Sequence, residues 1–371
     1  MDRERFYGLD HLRAIAILLV LLYHYRMFEH PAWVDTIGWV GWTGVDLFFV
    51  LSGFLISWQL FREIREHQNI KLRTFITKRF FRIIPPYAFT LLLYFCLPFF
   101  RERASLPPLW KFISFTQNYG LDVFNYGTFS HAWSLCIEEQ FYLFLPLVLL
   151  FLLSAKAINY IRVIIPLLII ISIILRYFSW TEDVFPDINT NDFWRTWYMK
   201  IYYPTHTRLD GLSIGVLIGY LFSFSQKFKA AVDSYGNPLL LTGMLAVVLS
   251  LWFCKDQVSE NTSFFGFTLI AVSYGILLLG SISKSSVLSR QKYRITSQLA
   301  ALSYSVYLSH KGIIHMVQWL LKKENIPTSG NVALFICFTA CIITGLFYRL
   351  VIEKPSDQVK NLILHHKKQL Q

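Results

Sequence analysis

The chain has 371 residues, of which 54% are hydrophobic, 17% aromatic and only 16% charged. A soluble domain carries nearer 25% charged residues, so an ordinary water-soluble globule is excluded. The net charge of +12 does not mark a nucleic-acid surface, because the basic residues stand in short clusters between apolar runs, as in loops flanking membrane spans.

Apolar runs of membrane length fall near 10–28, 38–58, 84–100, 133–153, 161–178, 209–225, 238–254, 264–282, 298–320 and 331–352. About twenty apolar residues are needed to cross a bilayer as a helix. The sequence therefore predicts an all-α, polytopic integral membrane protein of about ten transmembrane helices. Proline or polar residues interrupt or flank the third and ninth runs. The first run lacks a small-residue cleavage site and reads as a retained helix rather than a signal peptide. No internal repeat is evident, which speaks against an inverted-repeat transporter. The domain reading is one transmembrane domain over 1–355 and a short basic tail over 356–371.

Arginines and lysines orient the spans. Arg3 and Arg5 precede the first run, and Arg62, Arg65, Lys71, Arg73, Lys78, Arg79 and Arg82 follow the second. Lys156 and Arg162, then Lys227 and Lys229, then Lys284, Arg290, Lys292 and Arg294 fall in later loops on the same side, with Lys354, Lys360, Lys367 and Lys368 in the tail. By the positive-inside rule both termini are predicted cytoplasmic.

The first run, LDHLRAIAILLVLLYHY, holds Arg13 and His24. Eleven residues at about 100° each return almost to the starting face, and at 1.5 Å per residue the two lie about 16 Å apart. Ionisable residues in an apolar run are costly and face the bundle interior, so this stripe reads as a channel wall. Arg13 then lies near the cytoplasmic face, and His24 lies past the midplane towards the outside. The basic stretch 62–82 leads to Pro85-Pro86, where proline marks the expected start of the third span. It reads either as an interfacial amphipathic helix or as a site for a cytoplasmic polyanion such as the phosphates of coenzyme A. Arg79 and Arg82, three apart on one helical face, would be its contacts.

The second run opens with Asp46, either an interfacial helix-end carboxylate or a partner for a base such as His24. In the fourth, SHAWSLCIEEQFYL, helical spacing puts His131, Ser134 and Glu138 on one face. A histidine, a hydroxyl and a carboxylate there are hard to explain as packing, although a helix-borne serine is often only a hydrogen-bonding residue. The sixth opens with YPTHTRLDGLSIG. Arg208 and Asp210 are two apart and cannot face each other on a helix, so each needs a partner elsewhere if buried. In the ninth, LSYSVYLSH, the lone His310 reads as structural. The loop over 179–206 gathers Trp180, Glu182, Asp183, Asp187, Asp192, Trp194 and Trp197. It is either a sugar-binding surface or an interfacial lid. The five cysteines lie in or beside apolar runs without metal-ligand spacing and read as packing residues, so no metal is expected.

Together these residues suggest an anionic donor on the cytoplasmic side, a histidine as general base deeper in the membrane, and an acceptor held at the outer ends of the first, second, fourth and sixth spans. Two other classes fit the same pattern. One is a proton-coupled secondary transporter using His24, Asp46 and Glu138 as a relay. The other is a sensory or binding membrane protein without turnover.

The motifs LDHLRAIAILLVLLYH, GVDLFFVLSGFLI, KRFFRIIP, HAWSLCIEEQFYL, RLDGLSIG, LSYSVYLSH and IEKP run from residue 9 to 355. With them the chain resembles the acyltransferase 3 family of integral-membrane O-acyltransferases. The resemblance implies transfer of an acyl group, most often acetyl, from cytoplasmic acyl-coenzyme A to a hydroxyl of an extracytoplasmic glycan or related acceptor. It implies a bacterial cytoplasmic membrane as the location. His24 matches the family's essential histidine and Arg13 its paired arginine. Asp46, Arg82, His131, Glu138, Arg208 and Asp210 fall on motif positions. The expected chemistry has acyl-coenzyme A as co-substrate, with no permanently bound cofactor. Its phosphates lie near Arg79 and Arg82 and its pantetheine arm passes Arg13. His24 is the base, Asp46 or Glu138 orients its imidazole, and Arg208 is a candidate for the oxyanion. Direct transfer and a covalent acyl-histidine both stay open, as does a homo-oligomer. With only a short tail after Glu353, the chain is expected to be the form without an added esterase-like domain.

Overall fold

The computed structural model describes residues 6–366. Arg3, Arg5, Lys367 and Lys368, which count towards the cytoplasmic side in the orientation above, lie outside the described residues. Among those residues every regular element is a helix, and ten helices reach fifteen residues or more. They are α1 (Tyr7–Tyr25), α2 (Thr43–His67), α3 (Leu72–Cys96), α4 (Trp133–Ser154), α5 (Ile161–Ser179), α6 (Asp210–Phe224), α7 (Gly236–Phe253), α8 (Phe267–Ile282), α9 (Arg294–Lys323) and α10 (Asn331–Tyr348). A shorter helix, α11 (Lys354–His366), follows α10 through a π-helical turn, Arg349–Glu353.

Each predicted apolar run coincides with one of these ten helices, yet only seven of the described helical segments are long and apolar enough to cross a membrane. The three that fall short differ in cause. Helix α6 is fifteen residues long. Helices α3 and α9 are long but carry charges, among them Arg73, Lys78, Arg79 and Arg82 on α3 and Lys311 on α9. Helix α3 also begins at Leu72, thirteen residues before the Pro85 expected to open it. The helix passes straight through Pro85 and Pro86, where each proline removes one backbone donor. The Tyr304 hydroxyl donates to the Ile83 carbonyl there at 3.1 Å.

The chain packs as two units interleaved in sequence. Among the described residues, unit 1 comprises 6–16, 43–70 and 103–297, and unit 2 comprises 17–42, 71–102 and 298–366. The boundary falls inside α1, so Arg13 belongs to unit 1 and His24 to unit 2.

The core of unit 1 is the contact of α2 with α6. Lipid tails are as apolar as leucine, so membrane helices associate through close packing, and small residues let the backbones approach. Gly211, Gly215 and Gly219 recur every four residues on α6, one stripe of the helix. A Cβ on Gly215 would stand 2.4 Å from the Val50 carbonyl oxygen and 2.5 Å from the Phe54 nitrogen. One on Gly53 of α2 would stand 2.3 Å from the Leu212 carbonyl oxygen. Fifteen residues of α2 are buried, and this contact carries the first turn of α6, where Asp210 lies, against the segment of α2 that holds Asp46.

In unit 2, α3, α9 and α10 pack with the second half of α1. The hydroxyls of Thr90 and Tyr348 meet at 3.0 Å, tying α3 to α10. Lys311 of α9 reaches Glu102 at 3.0 Å, both side chains being buried.

Candidate active site

Unit 2 builds a hydrogen-bonded pair of histidines. His24 lies near the C-terminal end of α1 and His310 in the middle of α9, and both are buried. Nε2 of His310 stands 3.0 Å from Nδ1 of His24. Nδ1 of His310 stands 2.7 Å from the carbonyl oxygen of Tyr307, three residues before it on the helix. A carbonyl only accepts, so Nδ1 of His310 carries a proton, and in the neutral ring Nε2 is then the lone-pair nitrogen. That nitrogen accepts from Nδ1–H of His24, which also points at the Val20 carbonyl at 3.1 Å. The arrangement therefore selects one tautomer of His24, with the lone pair on Nε2. A lone histidine at a helix end reads as structural in the sequence, whereas the fold makes His310 the partner of His24. Lys311 and its ion-pair partner Glu102 are the next residues along, and the sequence reading contains neither.

Unit 1 holds two buried arginine–carboxylate pairs at the start of α6. A 3-10 turn, Thr205–Thr207, precedes the helix, and Arg208 and Leu209 link the two. Because the backbone turns there, Arg208 and Asp210 point to different partners. Asp210, in the first turn of α6, where the helix dipole favours a carboxylate, pairs with Arg176 at 2.6 Å. Arg208 pairs with Asp46 at 2.7 Å.

The two pairs are finished differently. Arg176, near the end of α5, is completely buried, and its guanidinium also donates to the Phe264 and Thr207 carbonyls, Ser172 and Thr268. Phe264 lies in a π-helical turn, Thr262–Gly266, at the start of α8, and such a turn frees carbonyls from the regular ladder. Asp210 takes a further bond from Thr268 at 2.5 Å. Arg208 gives Asp46 a single bond, from Nη2 to Oδ1. Among the described residues its Nη1 and the Asp46 Oδ2 are buried without a hydrogen-bond partner. Aromatic rings hold this guanidinium instead, with Phe267, Tyr202 and Trp133 at 4.0, 4.6 and 5.3 Å from its central carbon. Cation–π contact fixes the group while leaving N–H bonds unspent.

The remaining predicted residues lie as follows. Asp46, expected as one candidate to orient the His24 imidazole, is bound to Arg208 through Oδ1. Glu138, the other, accepts from Ser52 and from Tyr142, each at 3.1 Å. Ser134 is buried in the first turn of α4, and His131 precedes that helix on a 3-10 turn, Ser130–Ala132, with its ring edge on Phe129 at 5.0 Å. Arg13 is half-buried on α1. Arg79 stands over Phe75, and Arg82 is paired with Glu353 at 2.7 Å. In the loop over 179–206, Trp180 and Trp197 are buried and Trp197 donates to Ser263 at 2.8 Å. Of the loop's three tryptophans, only Trp194 keeps an exposed face for a ligand.

Apolar helices of membrane length with ionisable residues buried among them define an integral membrane protein whose interior is built for polar chemistry. Comparison of sequences then places it: the acyltransferase domain of the acyltransferase 3 family matches residues 6–349, and the chain belongs to that family. It is 31% identical over 344 residues to the O-acetyltransferase OatA of Staphylococcus aureus, a match covering 86% of this chain and 52% of that protein. It is 27% identical over 365 residues to SACOL0978 of Staphylococcus aureus strain COL, a protein with a provisional O-acetyltransferase name, covering 92% of this chain and 55% of the relative. The chain thus spans about half the length of the curated relatives it matches. No solved structure matches it.

Proposed function

We propose that the protein is a membrane O-acyltransferase that moves an acyl group, acetyl in the simplest case, from cytoplasmic acyl-coenzyme A to a hydroxyl of an extracytoplasmic glycan or related acceptor. The reading includes ten spans with both termini in the cytoplasm. The observation that carries it is the chain from the Tyr307 carbonyl through His310 to His24, which leaves Nε2 of His24 as the basic nitrogen. Family membership and the O-acetyltransferase names of the relatives supply the reaction class.

In this mechanism Nε2 of His24 takes the proton of the acceptor hydroxyl. The oxygen attacks the thioester carbonyl, forming a C–O bond and a tetrahedral oxyanion. Collapse breaks the C–S bond, and the departing thiolate recovers the proton from the imidazolium. His310 steadies that cation through its Nε2 lone pair. Arg208, with an N–H unspent, serves as donor to an oxyanion or hydroxyl oxygen, and Asp46 Oδ2 as acceptor for a hydroxyl proton. Arg79 and Arg82 face the donor's phosphates, with Arg13 along its path.

The test is release of free coenzyme A from acetyl-coenzyme A by the purified protein, with and without a crude cell-envelope glycan extract. Wild type should release it, and faster with the extract. His24→Ala should abolish release while eluting and melting as the wild type does. Retained turnover in the folded His24→Ala protein would refute the mechanism.

A further inference from the structure

Unit 2 carries a pocket of about 150 Å³, lined by Arg82, Ala301, Arg349, Glu353, Lys354 and Asp357. The pocket's acids are already answered. Glu353 accepts from Arg82 at 2.7 Å and from Ser305 at 2.5 Å, and Asp357 pairs with Lys360 one turn on. Its remaining cations are not. Neither Arg349, half-buried, nor Lys354, exposed, has a hydrogen-bond or ion-pair partner among the described residues. Arg82 keeps 40% of its side chain exposed beyond its bond to Glu353.

The backbone explains why these cations share a wall. In an α-helix, residues five apart diverge by about 140° at 100° per residue. Arg349–Glu353 is instead a π turn, whose i to i+5 bonding brings residue i+5 back towards the face of residue i. Arg349 and Lys354 thereby line one pocket, with Arg82 arriving from α3. A guanidinium offers a planar fork of donors that matches phosphate oxygens, and an ammonium adds a mobile charge.

We propose that this pocket binds a phosphate group of a phosphorylated ligand, held by Arg349 and Lys354 with Arg82 at the rim. Two sources present that chemistry, the phosphates of coenzyme A and the headgroup of an anionic phospholipid. The first source rests on the acyl-coenzyme A reading above, and the second does not.

The experiment uses the full chain in nanodiscs, as wild type, Arg349→Gln and Lys354→Gln. Binding of adenosine 3′,5′-bisphosphate is measured in phosphatidylcholine discs, and retention of phosphatidylglycerol in mixed discs. Acetyl-coenzyme A turnover is followed in the same samples. Arg349→Gln should weaken one of the two probes roughly tenfold or more, the loss of one charge-assisted bond, with the melting temperature of the ligand-free protein unchanged. Lys354→Gln, at an exposed residue, should weaken the same probe by a smaller factor and stands in if Arg349→Gln does not fold. A weakened bisphosphate supports the coenzyme A source, and weakened phosphatidylglycerol retention supports the lipid source. Both probes bound alike by all three proteins, or neither bound by wild type, overturns the pocket. Wild-type turnover and KM in a variant whose probe binding is also unchanged overturns the pocket while acyl transfer stands. No turnover in wild type, with phosphatidylglycerol retention lost in Arg349→Gln, overturns the acyl-transfer reading while the pocket stands.

Discussion

The two arginine–carboxylate pairs of unit 1 begin two residues apart in sequence and are equally buried, yet one is closed and the other open. Arg176 and Asp210 spend their hydrogen-bonding groups on each other, two backbone carbonyls and two hydroxyls. Arg208 and Asp46 share one bond and keep a donor and an acceptor in reserve. Leaving a buried polar group unsatisfied costs roughly 1–3 kcal/mol, so a pair that only held the fold together would be expected to close. The difference separates a clamp from a pair with polar atoms in reserve, the pair that the proposed mechanism draws on.

The largest effect should come from breaking the clamp. Arg176→Gln leaves Asp210 buried without its cation, which typically costs about 3–5 kcal/mol. Size-exclusion profiles and thermal melting in detergent should show little folded protein. A well-folded Arg176→Gln variant would erase the distinction between the pairs.

Gly215→Ala comes next, because the contact of α2 with α6 carries Asp46 and Asp210, the carboxylate of each pair. Its new methyl meets backbone atoms that cannot swing away, and overpacking of this kind costs about 1–3 kcal/mol. Melting temperature should fall, and turnover should fall with it. Unchanged melting would mean that the helix contact does not support the pairs.

A surface pair sets the lower end of the scale. Glu29, exposed and bonded to Lys322 at 2.6 Å, also takes the hydroxyl of Thr328. The Lys322 ammonium and then the Thr328 hydroxyl hold its carboxyl below the ordinary value of 4.5. A carboxylate lowered in this way contributes stability that is present above about pH 4.5 and is lost as pH falls through the lowered folded value. Glu29→Gln should leave melting near neutrality almost unchanged and flatten its decline on the acid side. A large loss at neutral pH would place this pair with the buried ones.

Much of the helical frame is legible in the sequence, because a run of about twenty apolar residues has few alternatives. What is less legible is where charge enters a helix. Of the basic residues before Pro85, Arg62 and Arg65 belong to α2 and Arg73, Lys78, Arg79 and Arg82 to α3, where the sequence offers at most an interfacial helix ahead of the span. The divergence of Arg208 and Asp210 follows from their two-residue spacing, but the identity of their partners does not, since Arg176 and Asp46 lie far away in the chain. A lone arginine late in the most apolar run was the available signal for Arg176. The His24–His310 contact joins residues 286 apart, and no local pattern carries such a separation. Trp180 and Trp197 look like ligand-stacking residues in a polar loop, yet their bulk is spent on packing.

The most direct test of the account applies one conservative change to each pair. Lysine keeps the charge of arginine and loses its fork. Melting temperature and initial acetyl-transfer rate are measured on Arg208→Lys and Arg176→Lys prepared side by side. Arg208→Lys should lose at least tenfold in rate while costing no more than about 1 kcal/mol in stability, since it gives up few existing bonds. Arg176→Lys should be clearly the less stable of the two, having surrendered several. Full activity in Arg208→Lys, or equal destabilisation by both changes, would contradict the claim that the open pair is the one kept for chemistry.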